Sequence, residues 1–203
     1  MIVSLTRHEQ RKAATHQSLI DAARAVIVEK GYQRVDILDI TERANVSKAT
    51  FYKHFPNKEE CVRELMQQGF DALIKQIMSV EGPTPVSPEW VRSSLEQAFV
   101  WAEDNREFLL IMIGGAASSQ LNAFGRRYAA DIIEHTILAE FVRDGGPTHF
   151  PPTLEAQIVT GMMIQLLGWW LENDTGYSAA EMADFVHVAL LHGITQQDEQ
   201  SHG

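Results

Sequence analysis

The run Ser47-Lys48-Ala49-Thr50-Phe51-Tyr52-Lys53-His54-Phe55 gathers the side chains that hold a polyanion rather than those that break a bond. Ser47 reads as the N-cap of a short helix, and Phe51 and Phe55 fall four apart on one face of it. With both phenylalanines inward, the 100° step per residue turns Ala49 and Lys53 most directly outward, with Lys48, Thr50, Tyr52 and His54 on the flanks. A small outward residue lets a helix approach a base edge closely, and lysine, threonine, tyrosine and histidine around it can hold phosphates. Plainer readings stand beside this one: Tyr52 as generic packing and His54 as a solvated ring.

Catalytic patterns are missing from the sequence. It contains no G-x-S-x-G, no H-E-x-x-H and no glycine-rich phosphate cradle behind a strand. The eight histidines are scattered, and His187 and His192, five apart, do not share a helix face. The single cysteine, Cys61, excludes an internal disulfide and a cysteine-rich zinc site, and reads as a small, partly buried thiol. The expectation is a protein that is not an enzyme and needs no cofactor or metal.

The elements that must position the run are helical. The stripe Leu19, Ala22, Ala23, Val26 and Ile27 recurs at helical spacing and predicts a first helix over about Arg7–Lys30, closed by Gly31. Asp36 caps a short helix with Asp39 in its first turn, turning Ile37, Ile40 and Ala44 inward. Asn45 supplies a left-handed turn residue, Val46 plugs the turn, and Ser47 opens the outward-facing helix that Pro56 ends. Asn57 and Glu60 form a capping-box-like pair at the head of a long helix over about 58–78.

Charge divides along the chain in the same way. The net charge of −10 argues against a nucleic-acid binder until residues 1–58 are taken alone, where ten Lys and Arg face six acids. The remainder carries −14. A basic head on an acidic body fits a protein of which only the head meets phosphate.

The stretch Gly31-Tyr32, then Ile37 through Glu60, resembles the DNA-binding region of the TetR (tetracycline repressor) family, over about Thr15–Leu65. The resemblance implies a helix-turn-helix head and a larger helical body that binds a ligand and dimerises. It places Ser47, Lys48, Ala49, Thr50, Tyr52, Lys53, His54 and Lys58 at the DNA, with Lys58 clamping a phosphate from the start of the fourth helix. Three departures stand out. Asp36 occupies a position often Ser or Thr, where an acid can cap but would repel a phosphate; Asn45 replaces the turn glycine and Thr41 an alanine.

The expected fold class is therefore all-α, with a DNA-binding domain over 1–58 and a ligand-binding and dimerisation domain over 59–203. Gly82-Pro83-Thr84-Pro85 reads as a stiff linker, and Ser87-Pro88-Glu89 restarts a helix. Helices then follow over about 88–104, to about 113, over 119–143, and in a final pair from Thr153 and from the capping box Ser178–Glu181. The first of that pair is apolar on nearly every face, so one side suits its own subunit and another a symmetry mate. Ile158, Met162, Leu166, Trp169, Phe185, Val186, Ala189 and Leu190 are the expected dimer contacts. Gly161 and Gly168, seven apart, would allow close helix approach. Phe99, Phe108, Met112, Tyr128 and Met163, beside glycine-rich breaks, are candidates for an adaptable pocket, though most such residues are plain core.

The expected partners are a palindromic double-stranded DNA operator, a small-molecule effector and a second copy of the chain. No apolar stretch is long enough to span a bilayer and no secretory signal opens the sequence, which fits a cytoplasmic protein. The rival expectation is an architectural DNA binder indifferent to any small molecule.

Overall fold

In the computed structural model, residues 6–79, 87–113, 117–143 and 150–192 are described, and among them every regular element is helical. The expected linker at Gly82–Pro85, the glycine breaks at 114–115 and 145–146 and the polar tail beyond 192 lie outside the described residues, as does the side chain of Met112. Two compact units emerge, one of Met1–Asp71 with Glu107–Ala129, the other of Ala72–Arg106 with Ala130–Gly203.

The first unit begins with α1 (Arg7–Lys30), opened by a capping box in which the Thr6 hydroxyl accepts from Glu9 N–H and the Glu9 carboxylate accepts from Thr6 N–H. Its end is Gly31 at φ +79°, a positive value that a β-carbon would strain. A short 3-10 turn (Tyr32–Arg34) leads to α2 (Ile37–Arg43), whose Asp36 and Asp39 cap each other reciprocally at 3.0 and 2.9 Å. Lys30 pairs with Asp39, which holds that carboxyl below the usual range, and Arg43 pairs with Glu29 to tie α2 back to α1.

Between α2 and α3 (Lys48–His54) the chain turns at Asn45, φ +54°, while Val46 N–H reaches the Thr41 carbonyl at 2.9 Å. The helix α4 (Lys58–Met78) starts from Asn57, whose side chain accepts from Glu60 N–H at 2.9 Å. Residues Leu19, Ile20, Ala23, Ile27, Ile40, Phe51, Cys61, Val62 and Leu121 are all but sealed from solvent in one core. This core explains why two seven-residue helices persist, since neither is long enough to be stable alone. Helix α6 (Arg106–Ile113) contributes Phe108 to the same core, and α7 (Ser119–Ile132) packs closely enough on α4 that a β-carbon at Gly125 would meet Met66 Cε at 2.7 Å.

In the second unit α5 (Pro88–Asp104) opens with Ser87 capping Trp90 N–H at 3.0 Å and packs against α10 (Ala179–His192). Arg92 bridges the two helices by donating to Asp184 at 2.5 Å. The single helix expected over 119–143 contains a π-helical stretch, Ile133–Leu138, before α8 (Ala139–Arg143). Its wide turn is fixed by Ala139 N–H donating to the Glu134 carbonyl, five residues back. That stretch packs against α9 (Pro152–Glu172), and Thr153 donates to Glu134 at 2.7 Å. The capping box expected at Ser178–Glu181 is present.

Candidate nucleic-acid interface

Helix α3 presents the face that its sequence implies. Phe51 and Phe55 are buried, four apart, and Phe51 meets Phe55 and Tyr52 at ring separations of 5.7 Å. Ser47, Lys48, Ala49, Tyr52 and Lys53 are exposed, Tyr52 to 56%. Tyr52 thus rests one ring edge on Phe51 while more than half of its surface stays in solvent. Thr50 is half-buried, its hydroxyl 2.9 Å from that of Ser47, and Thr50 N–H donates to the Ser47 hydroxyl at 3.1 Å. The cap thus fixes two hydroxyls at the start of the helix while the lysines stay in solvent.

Lys58 differs from its expected placement. Its ammonium turns inward, donating to the carbonyls of Tyr32 at 2.9 Å and Val35 at 2.6 Å, and sits 4.2 Å from the Tyr32 ring centre. The physical reason is the 3-10 turn, whose chain end leaves carbonyls that α1 and α2 do not satisfy. Partial burial depresses the Lys58 pKa against the opposing pull of Asp36, Asp39 and Glu59. Its side chain works as a staple within the head.

His54 is half-buried. Its Nδ1 lies 3.3 Å from Nδ1 of His16 on α1, and the other nitrogen of His16, Nε2, lies 2.7 Å from Glu64 Oε1 on α4. His16 also stacks on Phe55 at 4.6 Å. Burial, then the charges of His16 and Lys12, lower the His54 pKa. His16 and Glu64 escaped the sequence reading because they lie 38 and 10 residues from His54 and belong to no local pattern.

The remaining expected site residues fall in both units. Phe108 is in the head-side core beneath the Arg24 guanidinium, and Tyr128, stacked on Phe124, donates to Asp71 at 2.8 Å. Phe99 and Met163 belong to the other unit. Phe99 meets Trp170 edge-on at 5.3 Å, and Met163 packs on the cluster of Ile77, Trp90 and Ala98. Of the candidates whose side chains are described, Phe108 and Tyr128 thus fall in one unit and Phe99 and Met163 in the other. What the second unit does hold is a set of buried polar atoms without hydrogen-bond partners among the described residues: Ser94 Oγ on α5, Thr160 Oγ1 on α9 and His187 Nε2 on α10. Ser94 lies one turn from both Trp90 and Ala98, and Thr160 one turn before Met163. Unsatisfied buried hydroxyls cost about 1–3 kcal/mol each and invite a ligand that satisfies them.

On α9 and α10, Leu154, Ile158, Trp169, Phe185, Val188, Leu190 and Leu191 are exposed, and Met162, Leu166 and Ala189 are half-buried. Val186 was expected on this face but is buried within its own subunit, because it shares the side of α10 that packs on α5 with Met182 and Ala183. A β-carbon at Gly161 would meet nothing within 4 Å among the described residues.

Residues 19–65 match the family model described as "Bacterial regulatory proteins, tetR family". Over that segment the chain is similar to the TetR family. Among relatives, the transposon Tn10 TetC protein of Escherichia coli is 38% identical over 93 residues, and the match spans 45% of each chain. This chain thus covers less than half the length of that relative. The fatty acid metabolism regulator protein of Bacillus subtilis is 23% identical over 193 residues, covering 91% of this chain and 98% of its own. The structure of the transcriptional regulator FadR from Bacillus subtilis, in complex with stearoyl-CoA, matches with a TM-score of 0.68 at 23% identity, over 89% of this chain and all of that one. The TetR-family head and the all-helical fold thus come from independent comparisons. Among the described residues no helix is long and apolar enough to cross a membrane.

Proposed function

We propose that this protein is a ligand-responsive transcriptional regulator, acting in the cytoplasm as a homodimer. Residues 1–58 bind a palindromic operator and residues 59–203 bind the effector and dimerise. The observation that carries the reading is the two-sided helix α3, with Phe51 and Phe55 sealed in the core and Lys48, Ala49, Tyr52 and Lys53 in solvent. A family-typical repressor released by its effector is the form we adopt. Ser47, Lys48, Ala49, Thr50, Tyr52, Lys53 and His54 form its DNA face, and the exposed apolar stripe of α9 and α10 its dimer contact.

The effector class we favour is a fatty acyl-CoA. The stearoyl-CoA held by the Bacillus regulator supports this, as do the apolar cluster around Ile77, Trp90, Ala98 and Met163 and the unpartnered hydroxyls of Ser94 and Thr160. An acyl chain suits the first and a carbonyl the second. A ligand shifts DNA affinity only by binding one conformation better, and the coupling is reciprocal. Titration of stearoyl-CoA and a short-chain acyl-CoA, each with and without DNA from beside the protein's own gene, tests this. The expected result is that one of them loosens DNA and is itself bound more weakly by the same factor when DNA is present. DNA binding unchanged by acyl-CoA of either length would overturn the effector class. Failure to bind any such DNA would overturn the regulator itself.

A further inference from the structure

A chain of three side chains from three helices ends on the DNA-facing side of the head: Glu64 on α4, His16 on α1 and His54 at the end of α3. The chemistry of each link fixes the next. The Glu64 carboxylate can only accept, so His16 Nε2 carries a hydrogen and donates at 2.7 Å. Neutral His16 then has a lone pair on Nδ1, so the 3.3 Å contact requires His54 Nδ1 to be the donor. Neutral His54 is left with a lone pair on Nε2, which has no partner among the described residues. A lone pair cannot donate to a phosphate oxygen. In this arrangement His54 cannot make the contact its position invites until the pair gains a proton.

The location of that proton does not matter. On His54 it makes Nε2 a charged donor directly. On His16 it turns Nδ1 into a donor toward His54 Nδ1, which must then accept, and the His54 hydrogen moves to Nε2. Both routes convert Nε2 of His54 into a donor with a single proton. A second proton would place two cations 3.3 Å apart, nitrogen to nitrogen. Around the pair, Lys12 on α1 opposes protonation of His54, Glu64 on α4 is the acid in contact through His16, and Lys53 is the neighbouring charge on α3 itself. Burial further disfavours the charged ring of His54. The charged ring of His54 is therefore disfavoured without DNA, and an arriving phosphate, as an anion beside it, favours the proton.

We infer that Glu64 and His16 are positioning residues that set the tautomer of His54, so that each head takes up one proton when His54 engages a DNA phosphate. This rests on the proposed placement of His54 at the DNA. The contact adds affinity without reading sequence, so it does not need the operator. For one proton per head, affinity changes by up to about tenfold per pH unit for each head engaged.

The test measures affinity for a random-sequence 30-base-pair duplex at fixed ionic strength from pH 5.5 to 8.5. The wild type should tighten steadily as pH falls. In E64Q the amide can either accept from or donate to His16, so the tautomer is no longer imposed. Its affinity at pH 8.5 should rise above wild type and its pH dependence should flatten. H16L should flatten the profile as well, since it frees His54 Nδ1. H54A should bind weakly with little pH dependence, and circular dichroism of each variant checks that the head is folded. An H54A that matches wild type at pH 5.5 would refute the placement of His54 at the DNA. A wild type with a flat profile, or an E64Q as steep as wild type, would refute the proton coupling even if H54A binds weakly. A steep profile that survives in H54A would place the titrating group elsewhere, with exposed His8 the first to examine, and would also refute it.

Discussion

Replacing Lys58 by methionine separates a staple from a DNA clamp. The substitution keeps most of the apolar stem, whose packing matters for a half-buried lysine, and removes only the ammonium. Two charge-assisted bonds to the Tyr32 and Val35 carbonyls are lost. Each such bond has a net worth of about 1.5–3 kcal/mol. The contact with the Tyr32 ring at 4.2 Å adds about 0.5–1 kcal/mol for a partly exposed site. Against this stands relief of the ammonium's desolvation, the cause of its depressed pKa. The Val35 and Tyr32 carbonyls also recover some solvation from water. A net loss of about 2–3 kcal/mol is expected, which for a chain of this size lowers Tm by roughly 5–10 °C. Thermal unfolding at matched protein concentration reads that directly. In parallel, the slope of log affinity against log salt, measured well below the midpoint, should be unchanged, because a side chain that neutralises no phosphate releases no counterion. A variant of wild-type stability whose salt slope shrinks by about 0.9 per head would show that Lys58 swings out to DNA, and would refute the staple.

Other variants bear on the same framework. Asp36→Ala should destabilise the head by about 1 kcal/mol, seen as a lower denaturation midpoint, because it opens one half of a reciprocal cap; Asp36→Ser should restore most of it. The Cys61 thiol, pushed by burial up to about 12, should resist thiol reagents at pH 8 until the protein is unfolded, and rapid labelling of the native form would contradict its burial. Trp169→Glu and Phe185→Glu, at side chains 42% and 51% exposed, should each yield monomers by sedimentation, whereas Val186→Glu should yield insoluble protein. Acid should weaken the fold through His54: its folded pKa lies below the unfolded value, so stability is lost as pH falls through the unfolded pKa toward the folded one, and H54Q should blunt that decline in denaturant melts between pH 7 and 5.

The head was legible because its information is local. Asp36, Ser47 and Asn57 each cap the backbone three residues on, and Asn45 turns left-handed, as residue type alone implies. The inward pair Phe51 and Phe55 fixed the outward face of α3 by geometry of the helix alone. The readings that changed depend on distance in the chain. Lys58 was turned inward by carbonyls 26 and 23 residues earlier, and His54 was tied to His16 38 residues away. In the body, the apolar residues of α9 could not be divided between inside and outside without knowing what packs on it. Helix α5, across from Val186, decided that residue's side. The orphan hydroxyls of Ser94 and Thr160 carry no sequence signal at all, since a serine or threonine on an amphipathic helix ordinarily faces water.

The π-helical stretch at Ile133–Leu138 has a genetic reading. A turn closed by bonds five residues back holds one residue more than the α-helix around it, as though a single codon had been inserted into an older, regular helix. Loss of one codon anywhere from 133 to 138 should let the helix close up while Ala139–Arg143 keep their facing. The same deletion in α4 would rotate everything beyond it by about 100° and misplace an entire apolar stripe. Alignments of relatives should therefore tolerate a one-residue gap at this point of α7–α8, and a frame-preserving deletion library should recover survivors there while clearing them from α4. Because Glu134 within the stretch receives Thr153 of α9, the survivors should be those that keep Glu134 in register with its partner.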